Sequence, residues 1–206
     1  MLLPLAVRMT RKRKLVHFNA IWAGRYNSFA RNVEDNTIWG CGLNNFHQLG
    51  EVDPKDHEDN FVYQPVPLRA FDPNIKWTQI CGGEQHTLAL DNSGTVYSMG
   101  RALYGRLGLG KAGADDPDVV TLTPIPGLEE RVVAIAAGDH CSFALDKDGQ
   151  LWSWGQGSNM LAQGDRDDAP EPDIFVPTLC VAKALKDKKV ISIGAGSNHT
   201  VCVVAE

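Results

Sequence analysis

His86 and His199 each stand three residues after a glycine and directly before a threonine. An imidazole there can bond a neighbouring turn or face a partner. No serine, histidine and aspartate fall at a spacing that suggests a nucleophilic triad, and the six histidines show no zinc pattern. The five cysteines are odd in number and lack CxxC pairing, so they read as reduced packing residues, which suggests a reducing compartment. Gly105-Arg106-Leu107-Gly108-Leu109-Gly110-Lys111 has the flavour of a phosphate loop, but Ala112 follows the lysine and no long helix comes after it. Asp146-Lys147-Asp148-Gly149 begins like a calcium loop, yet the remaining acidic ligands and the closing glutamate are missing. Asn198-His199-Thr200 matches a glycosylation sequon inside an apolar strand, and the cysteine usage argues against secretion. These residues point to no covalent catalysis, no metal and no cofactor.

The elements that position these residues repeat. Gly24, Gly83, Gly138 and Gly196 are separated by 59, 55 and 58 residues and set a common frame. Three residues on come Asn27, His86, Cys141 and His199. Four on come Ser28, Thr87, Ser142 and Thr200, and six on come the small residues Ala30, Ala89, Ala144 and Cys202. The second half repeats as well, with Asn36, Gly94 and Gly149 in a turn and Gly42, Gly100 and Gly155 after the next strand. Leu49-Gly50 and Leu107-Gly108 close two units, and the third closes one residue late at Gly164. Short alternating strands between glycine turns at this period are the signature of a propeller or solenoid array. The units are expected at about residues 21–76, 77–131 and 132–189, with final strands over 190–206. One short helix is expected, over residues 181–188.

A net charge of -5 excludes a nucleic-acid footprint for the chain as a whole. Residues 1–20 lie outside the repeat and carry a basic cluster of Arg8, Arg11, Lys12, Arg13 and Lys14, expected as a disordered start. No stretch approaches eighteen apolar residues, so a soluble chain with no membrane partner is expected. Acidic loops recur once per unit, over residues 51–60, 114–118 and 165–173, each followed by a proline-bounded extended segment. On a propeller such loops gather on one rim and either solubilise it or steer a basic partner.

The units resemble those of the regulator of chromosome condensation family. The residues that carry the likeness are Gly83-Glu84-Gln85-His86-Thr87, Asp148-Gly149, Leu151-Trp152-Ser153-Trp154-Gly155 and Gln48-Leu49-Gly50. The segment over residues 98–110 is similar to that of the family's chromatin-bound exchange factors. The resemblance covers about residues 21–206 and implies an all-β, seven-bladed propeller of which only about 3.5 blades are present. It implies a nuclear, chromatin-associated exchange factor that holds the small GTPase Ran on one face and nucleosomes on the other, without covalent chemistry. A factor that prefers the nucleotide-free GTPase loosens its nucleotide by linkage.

By the same resemblance His86 and His199 fall on histidines at the Ran-facing end of a repeat. Glu84 and Asp139 occupy the polar position after the repeat glycine, where other repeats of the family place an acidic Ran contact. The family's wedge against the nucleotide site, its early acidic contacts and its nucleosome-binding loop have no counterpart here. A half-propeller is expected to expose strand edges at residues 21–30 and at the C-terminus, inviting self-association. The alternative is a non-catalytic interaction scaffold of the same repeats, such as a ubiquitin-ligase or membrane-traffic module. An enzyme with its site in the propeller channel is disfavoured by the lack of a convergent catalytic set.

Overall fold

A computed structural model describes residues 5–7, 15–110, 117–157, 159–163 and 172–205. The basic cluster over residues 8–14, much of the second and third acidic loops and Gly164 lie outside the described residues. The fold is all-β. The first sheet comprises β1 (Leu5–Val7), β2 (Val16–Ala23), β3 (Asn27–Asn32), β4 (Ile38–Leu43) and β5 (Phe61–Pro67), in that order. The second holds β6 (Trp77–Gly82), β7 (His86–Asp91), β8 (Val96–Gly100) and β9 (Val119–Pro124). The third holds β10 (Val132–Ala137), β11 (Cys141–Asp146), β12 (Leu151–Gly155) and β13 (Ile174–Leu179), and the last pairs only β14 (Lys189–Ala195) with β15 (Thr200–Ala205). Each is an antiparallel meander, a blade. The blades form an arc in which β2, β6, β10 and β14 are neighbours along the inside.

The core lies between the blades. Phe29 and Ile38 meet Trp77, Ile80 and Met99; Leu88 and Val96 meet Ile135 and Trp154; Phe143 and Leu145 meet Val190 and Ile193. One isoleucine therefore recurs in every blade, three residues before the repeat glycine: Ile21, Ile80, Ile135 and Ile193. Alternation along β7 and β11 turns successive side chains to opposite faces, and because a blade lies on both sides these two strands are buried throughout.

Polar side chains set the turns. Asp146 accepts from the backbone N–H groups of Asp148 (3.0 Å) and Gln150 (2.8 Å), from the Trp152 indole (3.0 Å) and from Arg131 (2.7 Å). Burial opposes ionisation of Asp146, but these hydrogen bonds outweigh it and hold the carboxyl below its usual range. The calcium-like sequence is thus a hairpin turn, and Asp91 caps the preceding blade's turn in the same way.

Two expectations change. The first blade begins at Val16, ahead of Ile21, because Phe18 packs edge-on against Trp39 with ring centroids 6.0 Å apart. β1 then covers the edge of β2 only over residues 16–18, and among the described residues β15 pairs with β14 alone. The expected helix over residues 181–188 is a single 3-10 turn, Lys183–Leu185. Its cap residue Ala182 offers no side-chain acceptor, and Val181 and Ala182 spend their N–H groups on the Ala162 carbonyl. A segment this short cannot sustain a helix without such support.

Candidate functional site

The repeat glycines place four loops at one end of the arc. Gly83 is needed because a side chain there would strike both the His86 ring and the Gly138 carbonyl of the next blade. Gly138 likewise lies under the Gly196 carbonyl, and Gly24 against Gly82. This close approach lets backbone pair across blades, with Glu84 N donating to Asp139 O (3.1 Å) and Arg25 N to Gly82 O (3.2 Å). Gly42, Gly100 and Gly155 have φ between +111° and +118°, and each turns back so that the next residue's N–H bonds the loop carbonyl of Tyr26, Gln85 or His140. These close approaches bring Arg25, Asp139 and Ser197 around a cavity of about 420 Å³ at the inside of the arc.

This rim is charged and internally paired. Arg25 reaches from the first blade to the Asp139 carboxylate of the third, and the same Nη1 lies 2.9 Å from Ser197 Oγ on the fourth. Glu84 Oε2 stands 3.4 Å from His140 Nε2. Burial lowers the pKa of His140, with Arg106 adding to the effect and Glu84 opposing it. Farther out, Arg101 and Arg106 both donate to Gln85 Oε1, at 3.0 and 3.2 Å. Arg106 is wholly buried, and burial together with Arg101 brings its pKa down to about 10. The Tyr104 ring covers Arg106 and lies 5.8 Å from the His140 ring.

The two histidines of the frame have different surroundings. His86 is 0% exposed, and its Nε2 lies 2.9 Å from Ser142 Oγ across the junction of blades two and three. Ser142 Oγ donates its one hydrogen to the Arg106 carbonyl at 2.8 Å, so it accepts from His86, whose proton therefore sits on Nε2. Burial, then the charges of Arg106 and His140, hold the His86 pKa well below its usual value. His199, on the last blade among the described residues, is exposed. Of the four residues singled out from sequence, Glu84, Asp139 and His199 reach the loop face, while His86 lies beneath it.

Sequence reasoning passed over Arg25, Gln85, His140, Arg101, Tyr104 and Arg106. The first three carry a legible signal, since Arg25 shares the place of Glu84 and Asp139 one residue after the glycine, and Gln85 and His140 share the next place.

The thiols pack against the blades and form no disulfide among the described residues. All five cysteines are free, and burial raises the thiols of Cys81 to about 12 and of Cys141 and Cys180 to about 11.

The model of the regulator of chromosome condensation (RCC1) repeat matches residues 35–90, 93–145 and 148–203. The chain belongs to the RCC1 repeat family. The regulator of chromosome condensation of Xenopus laevis is 37% identical over 191 residues, covering 92% of this chain but 42% of its own length. The chain thus spans less than half of this relative. A crystal structure of Prp20p from Saccharomyces cerevisiae, described with its binding properties to Gsp1p and histones, superposes with a TM-score of 0.78 at 28% identity, over 92% of this chain and 44% of Prp20p. A relative of another kind, the human E3 ubiquitin-protein ligase HERC2, is 35% identical over 175 residues, covering 82% of this chain but 3% of HERC2.

Proposed function

We propose that this chain carries part of a guanine-nucleotide exchange surface for the small GTPase Ran, acting in the nucleus on chromatin. The observation that carries the reading is the identity to the Xenopus regulator, which runs through all three matched repeats and therefore through the loop rim. The binding of Gsp1p and histones by Prp20p supports a GTPase and chromatin as the two partners. On this reading Glu84, Asp139 and His199 contact the GTPase directly. His86 acts beneath them as a positioning residue that ties blade two, which carries Glu84 and Gln85, to blade three, which carries Asp139 and His140.

The mechanism follows from linkage. A surface that binds the nucleotide-free GTPase more tightly than the loaded form must weaken nucleotide binding by the same factor, so no bond is made or broken by the protein. Docking would require the rim to exchange its internal ion pairs, Arg25 with Asp139 and Glu84 with His140, for pairs with the partner.

The test is release of a fluorescent GDP analogue from Ran, with light scattering and circular dichroism to establish size and folding. Acceleration by the chain, reduced at least tenfold in Glu84→Ala and His199→Ala variants that keep their fold, is the expected result. A folded chain that neither binds Ran nor speeds release would overturn the reading. That outcome would favour the second one, an interaction scaffold, for which the match to a ubiquitin ligase speaks.

A further inference from the structure

Arg106 carries a charge that its place in the fold does not require. It stands six residues after Gly100, and the same place in blade one, six residues after Gly42, is held by Gln48. Both side chains are wholly buried. Gln48 is satisfied inside its own loop, accepting from the Phe46 N–H at 2.9 Å and donating to Asn45 Oδ1 at 3.0 Å. A neutral amide therefore suffices to close this corner. Arg106 puts a cation there instead, with Nε donating to the Leu103 carbonyl (2.8 Å) and Nη1 to Gln85 Oε1 (3.2 Å), while its buried Nη2 has no hydrogen-bond partner. Among the described residues no carboxylate bonds this guanidinium: Glu84 faces His140, and Asp139 is taken by Arg25. A buried cation with an idle donor and no counter-charge is costly until an anion meets it.

The surroundings of Arg106 favour such an anion. Half-buried Arg101 shares Gln85 Oε1 with it and lies 4.4 Å from the centre of the Phe46 ring, so two guanidinium groups converge on one neutral amide. Burial, and then the charge of Arg106, lowers the pKa of both His86 and His140, in keeping with an unmatched positive potential. Blade three fixes the arginine backbone, since Ser142 Oγ and the Trp154 indole both donate to its carbonyl, at 2.8 and 3.0 Å. Over the guanidinium lies the half-buried Tyr104 ring, 5.5 Å from its central carbon. Tyr104 has φ +63°, a left-handed conformation that a bulky side chain adopts only at a cost.

We propose that Arg106 and Arg101 form a receiving site for a carboxylate side chain of a partner protein, with the Tyr104 ring as the lid that moves aside to admit it. A guanidinium presents its donors as a planar fork that matches a carboxylate through two parallel bonds, and Nη2 is the donor left free for the purpose. A nucleic-acid backbone fits poorly, because Glu84 and Asp139 stand on the same rim and the chain carries a net charge of -5. The site goes beyond the GTPase reading and does not depend on it, since it takes a carboxylate from whichever protein carries one.

A hexaglutamate peptide capped at both ends is the probe, titrated into the full chain at low ionic strength. NMR of the Gln85 side-chain amide, present in every variant, follows binding, and circular dichroism with urea unfolding checks that each variant folds like the parent. The parent is expected to show a saturable shift of this amide. Arg106→Gln, which places the residue type of blade one in blade two, is expected to weaken binding roughly tenfold or more. Tyr104→Gly removes the ring at a backbone conformation that glycine adopts freely, and is expected to tighten binding by about threefold or more. A parent whose Gln85 amide does not respond, or an Arg106→Gln variant that binds as the parent does, overturns the site. Unchanged affinity in Tyr104→Gly overturns the lid. An oligothymidylate that shifts the Gln85 amide as strongly as the peptide overturns the assignment to a carboxylate.

Discussion

His86 gives the sharpest quantitative expectation. Its imidazole is wholly buried at the junction of blades two and three, with Nε2–H on Ser142 and a bare Nδ1 that has no hydrogen-bond partner among the described residues. Truncation in His86→Ala opens a cavity and deprives Ser142 of the donor it accepts from, a cost of about 2–4 kcal/mol at pH 7.5. That cost should shrink in acid. Protonation would put an N–H on Nδ1 with no acceptor, beside Gly83 and near Arg106, so the folded pKa lies well below the unfolded value. The folded state therefore binds fewer protons than the unfolded state in the window below about pH 6.5, and stability falls as pH falls through it. With the folded histidine neutral and the unfolded one titrating near 6.5, the parent loses about 1.4 kcal/mol between pH 7.5 and 5.5 through this group alone. His86→Ala lacks that term, so the gap between parent and variant should narrow by about 1.4 kcal/mol over the same interval. Urea unfolding at both pH values measures it. A gap independent of pH would refute the buried neutral imidazole, and a gap that widens in acid would mean that His86 is charged in the fold.

Asp146→Ala leaves two turn N–H groups, the Trp152 indole and Arg131 without their acceptor, and is expected to cost about 3–5 kcal/mol in urea unfolding, with Asp146→Asn costing less. Gly155→Ala forces a side chain into the His140 carbonyl at φ +117°, so the third blade should lose cooperative unfolding or the chain should fail to accumulate as folded protein. Glu84→Ala, at a half-buried surface position, is expected to change stability by less than about 1 kcal/mol. A loss of Ran binding in that variant would therefore report contact rather than unfolding.

The fold was legible because each structural constraint leaves its mark at a fixed offset in the chain. A glycine that must pass within van der Waals reach of the next blade leaves no room for a side chain, and so Gly24, Gly83 and Gly138 marked the frame, while at Gly196 a side chain would strike the His199 ring of its own blade. Carboxylate-capped turns and positive-φ corners did the same for Asp146 and Gly155. The start of the first blade was not legible, since Val16 and Phe18 lie ahead of the glycine frame and are fixed by a contact with Trp39 that no spacing announces. The short connector before β14 misled for a related reason: its charged residues suit a helix, but whether one forms depended on a tertiary claim by Ala162 on the N–H groups at its start.

For the site, repeat position predicted residue type better than it predicted exposure. His86 and His199 occupy one position of the frame, and the same sequence logic applies to both. Blade three covers the first and supplies Ser142 as its partner, whereas the second stands on the last blade of the arc and faces solvent. A histidine at this position is thus an internal tie wherever another blade follows and a surface group wherever none does. If a further blade were seated against blade four, His199 would be expected to pass from the second condition to the first.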